Sequence, residues 1–295
     1  MADDTREALI GVIGGSGVYQ IDGLENTRWE TVPSSFGEPS DQLLFGELDG
    51  QTLVFLPRHG RGHRYSPTDI NYRANIDAMK RAGVTDIISV SAVGSLKHEY
   101  APGHFVLVDQ FIDRTFAREK SFFGKGCVAH VSMAHPVSTR IGDALEAACR
   151  ELDLPHSRGG TYLTMEGPQF STLAESNLYR SWGCDVIGMT NMPEAKLARE
   201  AEIPYATVAM VTDYDCWHPD HDHVTVEVVV RVLLSNADKA RSLIKAAAPK
   251  LQRRPLVDEQ GGDHALGHAM ITHAEARDPE VVARLDAVAG RVLGS

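Results

Sequence analysis

Short apolar runs recur along this chain, separated by stretches with helical periodicity, and that alternation restricts the fold more than any other feature. Leu9 to Ile13 runs into Gly14-Gly15-Ser16-Gly17, and Thr52 to Leu56 runs into Pro57-Arg58-His59. Val84 to Ala92 leads into Gly94. "HFVLVDQFI", "GTYLTMEG", "DVIGMT" and "YATVAMVTD" read as further strands. Between them, "SPTD" at Ser66 to Asp69 predicts a helix start, with Ser66 as cap and Pro67 in the first turn. Tyr72, Ile76 and Met79 then follow at helical spacing, and Gly83 ends that helix. Ile141 to Leu152 carries another apolar stripe. Further helices are expected at about 171–181 and 193–202, from about Thr225 to Ala247, and from Pro279 to Leu293. Strands alternating with helices predict an α/β fold with a central, mixed β-sheet flanked by helices. The pattern places one domain over residues 8–251. A C-terminal extension, 252–295, opens with a linker-like stretch, Arg253 to Gly267, and ends in the helix from Pro279.

The chain has 295 residues, enough for a sizeable core, and a formal net charge of −11. An acidic chain without a Lys/Arg-rich run is not expected to bind nucleic acid. Any anionic ligand must be held by local donors working against the global field. The apolar runs are too short to span a bilayer, and "MADDTRE" lacks the apolar centre of a signal peptide. Cys127, Cys149, Cys184 and Cys216 lie far apart with no CxxC pair, which fits a reducing compartment. These features together point to the cytoplasm.

The first glycine loop fails two familiar phosphate motifs. A dinucleotide fingerprint needs Gly at i, i+2 and i+5; from Gly15 the third position is Gln20, and from Gly14 the second is Ser16. A Walker loop would end in Gly-Lys-Ser/Thr, which is absent here. What remains is a loop in which the Ser16 hydroxyl and neighbouring N–H groups hold a phosphate, or a plain tight turn. Other strand ends carry candidate groups. The planar fork of Arg58 matches two phosphate oxygens, and His59 is a donor to a third. Ser91 offers a hydroxyl and Ala92 a backbone N–H, and Thr190 is a further donor. Phe170 reads as a stacking platform for a flat base or as a core aromatic, and Met189 as a cover for an apolar ring face or as core. Asp213 and Asp215, two apart at a strand end, are expected to leave on the same side, where crowding raises at least one pKa. The run His218, Asp220, His221, Asp222, His223 matches no metal-helix spacing and reads as a solvated loop, so no metal is expected.

Taken together, "GVIGGSG", "PRHGRGH", "NYRANI", "SAVGSL", "DQFIDRT", "EGPQFSTLAES", "GMTNMPEAKLARE" and "VTDYDCW" resemble the trimeric nucleoside phosphorylases, over about Ile10 to Leu251. The nearest branch is the one acting on 5'-methylthioadenosine. The resemblance implies cleavage of a purine nucleoside by inorganic phosphate, a co-substrate, with no cofactor. It implies phosphate among Ser16, Arg58, His59, Ser91, Ala92 and Thr190. Phe170 and Ile187 would flank the base, and Met189 would lie against the ribose. Asp213 would sit opposite N7 and the 6-amino group, helped by Asp215. Val226 and Val229 would line the 5' pocket, and a neighbouring subunit of a homotrimer or hexamer would lend His130. The segment near Leu266 would close over the 5' group. Gly188 departs from members that carry a side chain there.

Overall fold

The structure is a computed structural model that describes residues 5–15, 17–219 and 226–294, without the side chains of 226–231 and 233–235. In chain order the strands and helices are β1 (Thr5–Glu7), β2 (Ile10–Gly14), β3 (Glu25–Glu30), β4 (Leu43–Leu48), β5 (Gln51–Pro57), α1 (Tyr72–Arg81), β6 (Asp86–Ser95), β7 (Phe105–Val108), β8 (Gln110–Arg114) and α2 (Thr139–Glu151). Then follow β9 (His156–Arg158), β10 (Thr161–Met165), α3 (Leu173–Ser181), β11 (Val186–Gly188), α4 (Asn191–Glu200), β12 (Tyr205–Asp213), α5 (Val226–Ala247), β13 (Arg253–Pro255), α6 (Pro279–Arg284) and α7 (Asp286–Leu293). The expected mixed sheet with flanking helices is present.

The sheet forks at its centre. Strand β6 pairs along its first half with β2, from Asp86 to Ser89, in parallel. Further on, at Gly94 and Ser95, the same edge pairs antiparallel with β11. Its other edge pairs with β12 from Ile87 to Gly94. Between Ser89 and Gly94 one edge of β6 therefore has no strand beside it. Beyond the fork, one arm runs β2-β5-β4-β3 and the other β11-β10-β8. The central strands are buried on both faces, so they read as unbroken apolar runs rather than as alternation.

Several local expectations change. The helix expected at Ser66 begins six residues later, at Tyr72: Asn71 caps it by accepting from Ala74 N, while Ser66 to Asp69 forms a turn in which Asp69 N donates to Ser66 O. The strand expected over 104–112 breaks at Asp109, whose N–H donates to Gly160 O, and continues as β8 beside β10. The terminal helix is two helices meeting at Leu285. Strand β3 is largely exposed and has no apolar run to mark it, whereas β4 carries the short buried run Leu43-Leu44-Phe45, which is not among the strands expected above.

The Arg253 to Gly267 stretch is not a tether. Strand β13 pairs with β1, Arg254, Asp258 and Asp263 are buried, and Leu266 is fully enclosed in the same core cluster as Ile76, Leu197, Leu285 and Val288. Helix α7 is tied back to α1 by Arg81–Asp286. Leu266 is thus core of its own subunit, not a lid. Leu266→Ala is expected to cost about 2–5 kcal/mol in urea unfolding, with the Michaelis constant for nucleoside unchanged; the reverse pattern would restore the lid.

Candidate active site

A cavity of about 760 Å3 opens at the fork. The unpaired stretch of β6 supplies one wall, from Val90 to Gly94. The end of β5 supplies Arg58 and His59. The loop after β10 supplies Pro168 and Phe170, β11 and its exit supply Ile187 to Thr190, and the end of β12 supplies Thr212, Asp213 and Asp215. Ten expected residues therefore line one cavity: Arg58, His59, Ser91, Ala92, Phe170, Ile187, Met189, Thr190, Asp213 and Asp215. Ser16 lies outside the described residues, although its neighbour Gly15 lines the cavity. The side chains of Val226 and Val229 also lie outside them, and α5 contributes Ala237. So do residues 220–223 of the histidine-aspartate run. Among the described residues, no group of three or more His, Cys, Asp or Glu is placed to hold a metal ion.

Arg58 does not present its fork to the cavity. It is buried, and its Nε and Nη2 meet the two oxygens of Glu194 at 2.6 and 2.8 Å. Nη2 also donates to Ser89 Oγ at 2.6 Å, and Nη1 donates to Val90 O at 3.1 Å. Among the described residues, that leaves one Nη1 hydrogen without a protein partner. Glu194 further accepts from Ser89 Oγ and from the Tyr205 hydroxyl. The ion pair is therefore an internal strut between β5, β6 and α4, and Glu194 was invisible as such in the sequence because its partner lies 136 residues away.

His59 is also changed from its expected role. Its Nδ1 lies 2.9 Å from Tyr65 O, a pure acceptor, so Nδ1 carries the hydrogen. Burial pushes its pKa down to about 4 against the opposing Tyr65 bond, and Arg58 adds to the depression. The neutral ring thus leaves Nε2 as an acceptor, not a donor. His63 stacks on it at 4.2 Å.

Three hydroxyls meet on the floor. Ser91 Oγ lies 3.0 Å from the Tyr162 hydroxyl and 3.3 Å from Thr190 Oγ1. Tyr162 is fully buried. It also explains Gly188: a Cβ there would fall 1.9 Å from the Tyr162 oxygen. A side chain at 188 and a tyrosine at 162 exclude each other. Tyr162 was legible only as an apolar strand residue.

The two carboxylates do not share a strand face. Strand β12 ends at Asp213, and Asp215 lies in a turn with φ of 51°. Asp215 N donates to Asp213 Oδ1 at 2.8 Å, and the Thr212 hydroxyl lies 2.6 Å from Oδ2. Asp213 is pushed up to about 6, chiefly by burial; these two hydrogen bonds oppose the shift, and the charge of Asp215 is the smaller raising influence. Crowding was the expected cause and is the lesser one. Gly94 makes room for the acid, since a Cβ there would stand 2.9 Å from Asp213 Oδ1.

Phe170 is not core: it is 41% exposed, at the cavity. Met189 and the loop bearing Glu166 are clamped by the buried Arg118. This residue donates to Met189 O (2.6 Å), Met192 O (2.7 Å) and Glu166 O (2.6 Å), and pairs with Glu166 Oε1 at 2.9 Å. Arg118 is a second supporting residue that the sequence did not signal. His130 is exposed and does not line the cavity of its own chain. Its N–H donates to Ala269 O, and Ala129 bridges to Met270. The lining ends with Ala237, so α6 and α7 do not cap the cavity of their own chain.

Residues 9–249 match the model of the phosphorylase superfamily. The chain belongs to that superfamily. It is 69% identical to an S-methyl-5'-thioadenosine phosphorylase of Rhodospirillum rubrum over 294 residues, the whole of both chains. It is 61% identical to one of Cereibacter sphaeroides, covering 97% of this chain and 99% of that one. Among solved structures, a methylthioadenosine phosphorylase from an antarctic soil metagenomic library superposes with a TM-score of 0.88 at 47% identity, covering 96% of this chain and 99% of the other. A methylthioadenosine phosphorylase from Schistosoma mansoni in complex with adenine gives 0.77 at 36% identity, covering 82% and 91%.

Removing Glu194 strands the buried Arg58 charge. Glu194→Ala is expected to cost about 3–5 kcal/mol in denaturant unfolding, and Glu194→Gln less. Equal, small losses in both would show the pair to be dispensable.

Proposed function

We propose that the chain catalyses phosphorolysis of 5'-methylthioadenosine, giving adenine and 5-methylthioribose 1-phosphate. The observation that carries this reading is a buried acid, Asp213, facing a hydroxyl floor across one cavity. Protonated Asp213 offers both a donor and an acceptor, which suits N7 and the 6-amino group of adenine. A 6-oxo base would present an acceptor where the acid presents its own acceptor oxygen and needs a donor, so inosine and guanosine are the poorer substrates. Phe170 and Ile187 flank the base, and Met189 covers the ribose. The apolar Ala237 supports a preference for a methylthio group over a hydroxyl at the 5' end, with Val226 and Val229 completing that pocket.

Phosphate is held by Ser16, Ser91, Ala92 N–H, Thr190 and the remaining Nη1 hydrogen of Arg58, while a P–OH donates to His59 Nε2. One phosphate oxygen attacks C1', the C1'–N9 bond breaks, and its electron pair goes to the base. Asp213 gives N7 a proton; such help is typically worth about 10²–10⁴-fold. The proton left on the new phosphate ester is released and balances the one the base took. No step calls on a cofactor. Since the lining of one chain lacks His130, the neighbouring subunit of a homotrimer is proposed to supply it. The four free cysteines fit a cytoplasmic enzyme of purine and methionine salvage. Among the described residues no helix is long and apolar enough to cross a membrane.

Phosphate-dependent release of adenine from methylthioadenosine tests the reading; release at the same rate without phosphate overturns it. Asp213 loses its proton above about pH 6, so its help fades as pH rises. The ratio of wild-type to Asp213→Asn activity is expected to be greatest near pH 5 and to decline above pH 6. A flat ratio from pH 5 to 8 counts against proton donation. Tyr162→Phe frees Ser91 and Thr190 to rotate. It is expected to raise the Michaelis constant for phosphate about tenfold, and that for nucleoside little. Equal rises in both would remove Tyr162 from phosphate binding.

A further inference from the structure

A second cavity, of about 290 Å3, lies at the opposite end of β6. Val84 and Thr85 line it, whereas Ser91 lines the first. At about 3.3 Å per strand residue the two are about 20 Å apart. Four cations reach this cavity: Arg6 from β1, Lys80 from α1, Arg254 from β13 and Arg291 from α7.

Among the described residues two carboxylates face them, and both are fully engaged. Glu202 takes Arg291 through both oxygens, at 2.7 and 2.6 Å, and accepts from Leu266 N. Asp263 takes Arg254, Arg6 at 3.3 Å, His264 Nδ1 and Asp258 N. Asp86, 3.8 Å behind Arg254, is already paired with Arg140. Lys80 is left with no hydrogen bond or ion pair among the described residues. Arg254 is 2% exposed, and its Nε has no partner. Burial holds the Lys80 ammonium below its ordinary range; Glu202 opposes this, and Arg254, Arg291 and Arg6 reinforce it. In a chain of net charge −11, four cations against two carboxylates leave a local surplus of two.

We infer that this cavity is a second anion site, built for a small dianion of the phosphate class. Two extra negative charges neutralise the surplus and give the Lys80 ammonium a partner. Val84, Leu256 and Val288 add apolar wall beside the charges, enough for a small organic body. Occupancy would add a charged link between the β1–β13 pair and the α1–α7 pair, which are already joined within themselves.

Equilibrium dialysis of radiolabelled inorganic phosphate, at neutral pH and low salt, compares the full chain with Lys80→Glu. The expected result is the loss of one bound phosphate per chain in the variant, with the catalytic Michaelis constant for phosphate unchanged. Equal stoichiometry in both proteins overturns the inference. If Lys80→Glu does not fold, Arg6→Glu, on the half-exposed β1, reads the same loss. Competition with methyl phosphate and ribose 5-phosphate identifies the source. Displacement at least tenfold better by the sugar phosphate assigns the site to the phosphoryl end of a larger molecule, and equal displacement assigns it to the free ion.

Discussion

The split pairing of β6 is the constraint on which the rest depends. A central strand normally gives its N–H and C=O groups to neighbours on both sides, and leaving them unpaired in a buried place is costly. Here β2 leaves at Ser89 and β11 joins only at Gly94, so the stretch between them faces a cavity on one edge. Most of the rest of the lining is strand ends and loops brought to that gap, with Ala237 of α5 and Met210 of β12 added. The same gap separates the two arms of the sheet, and something must keep them at a fixed distance. Arg58–Glu194 does this as a buried pair with additional hydrogen bonds, from the end of β5 in one arm to α4 behind β11 in the other, while Arg118–Glu166 fixes the loops of the second arm.

The sequence disclosed the strand ends and therefore most of the site. Alternation of apolar runs with helices gave the fold class, and small or polar residues after the runs marked the ligand positions. What it hid were contacts between distant residues. Nothing local to Arg58 tells that Glu194 occupies its fork. Nothing local to His59 tells that Tyr65 O fixes its tautomer. The expectation for Asp213 and Asp215 failed because period-two reasoning holds only while the strand lasts, and β12 stops at the first of the pair. The C-terminal stretch looked like a linker because it is rich in Gly, Asp and Arg, yet those charges are buried in pairs.

The supporting residues share a pattern. Tyr162, Glu194 and Arg118 all sit behind the cavity lining and hold it by hydrogen bonds, to a hydroxyl, a guanidinium and backbone carbonyls respectively. Gly188 and Gly94 give the clearance that this inner layer needs. The floor of the cavity and the Asp213 carboxyl are therefore held in place from behind.

The internal pairing of Arg58 has a consequence for discrimination among oxyanions. Its charge is already balanced by Glu194, so the cavity offers little bulk attraction to a tetrahedral anion. In the binding mode proposed above, recognition comes from the direction of individual hydrogen bonds, and one of these, at His59 Nε2, requires the ligand to give rather than take a hydrogen. Sulfate has the same shape and charge as hydrogen phosphate but carries no hydroxyl at neutral pH, so it meets a lone pair with a lone pair.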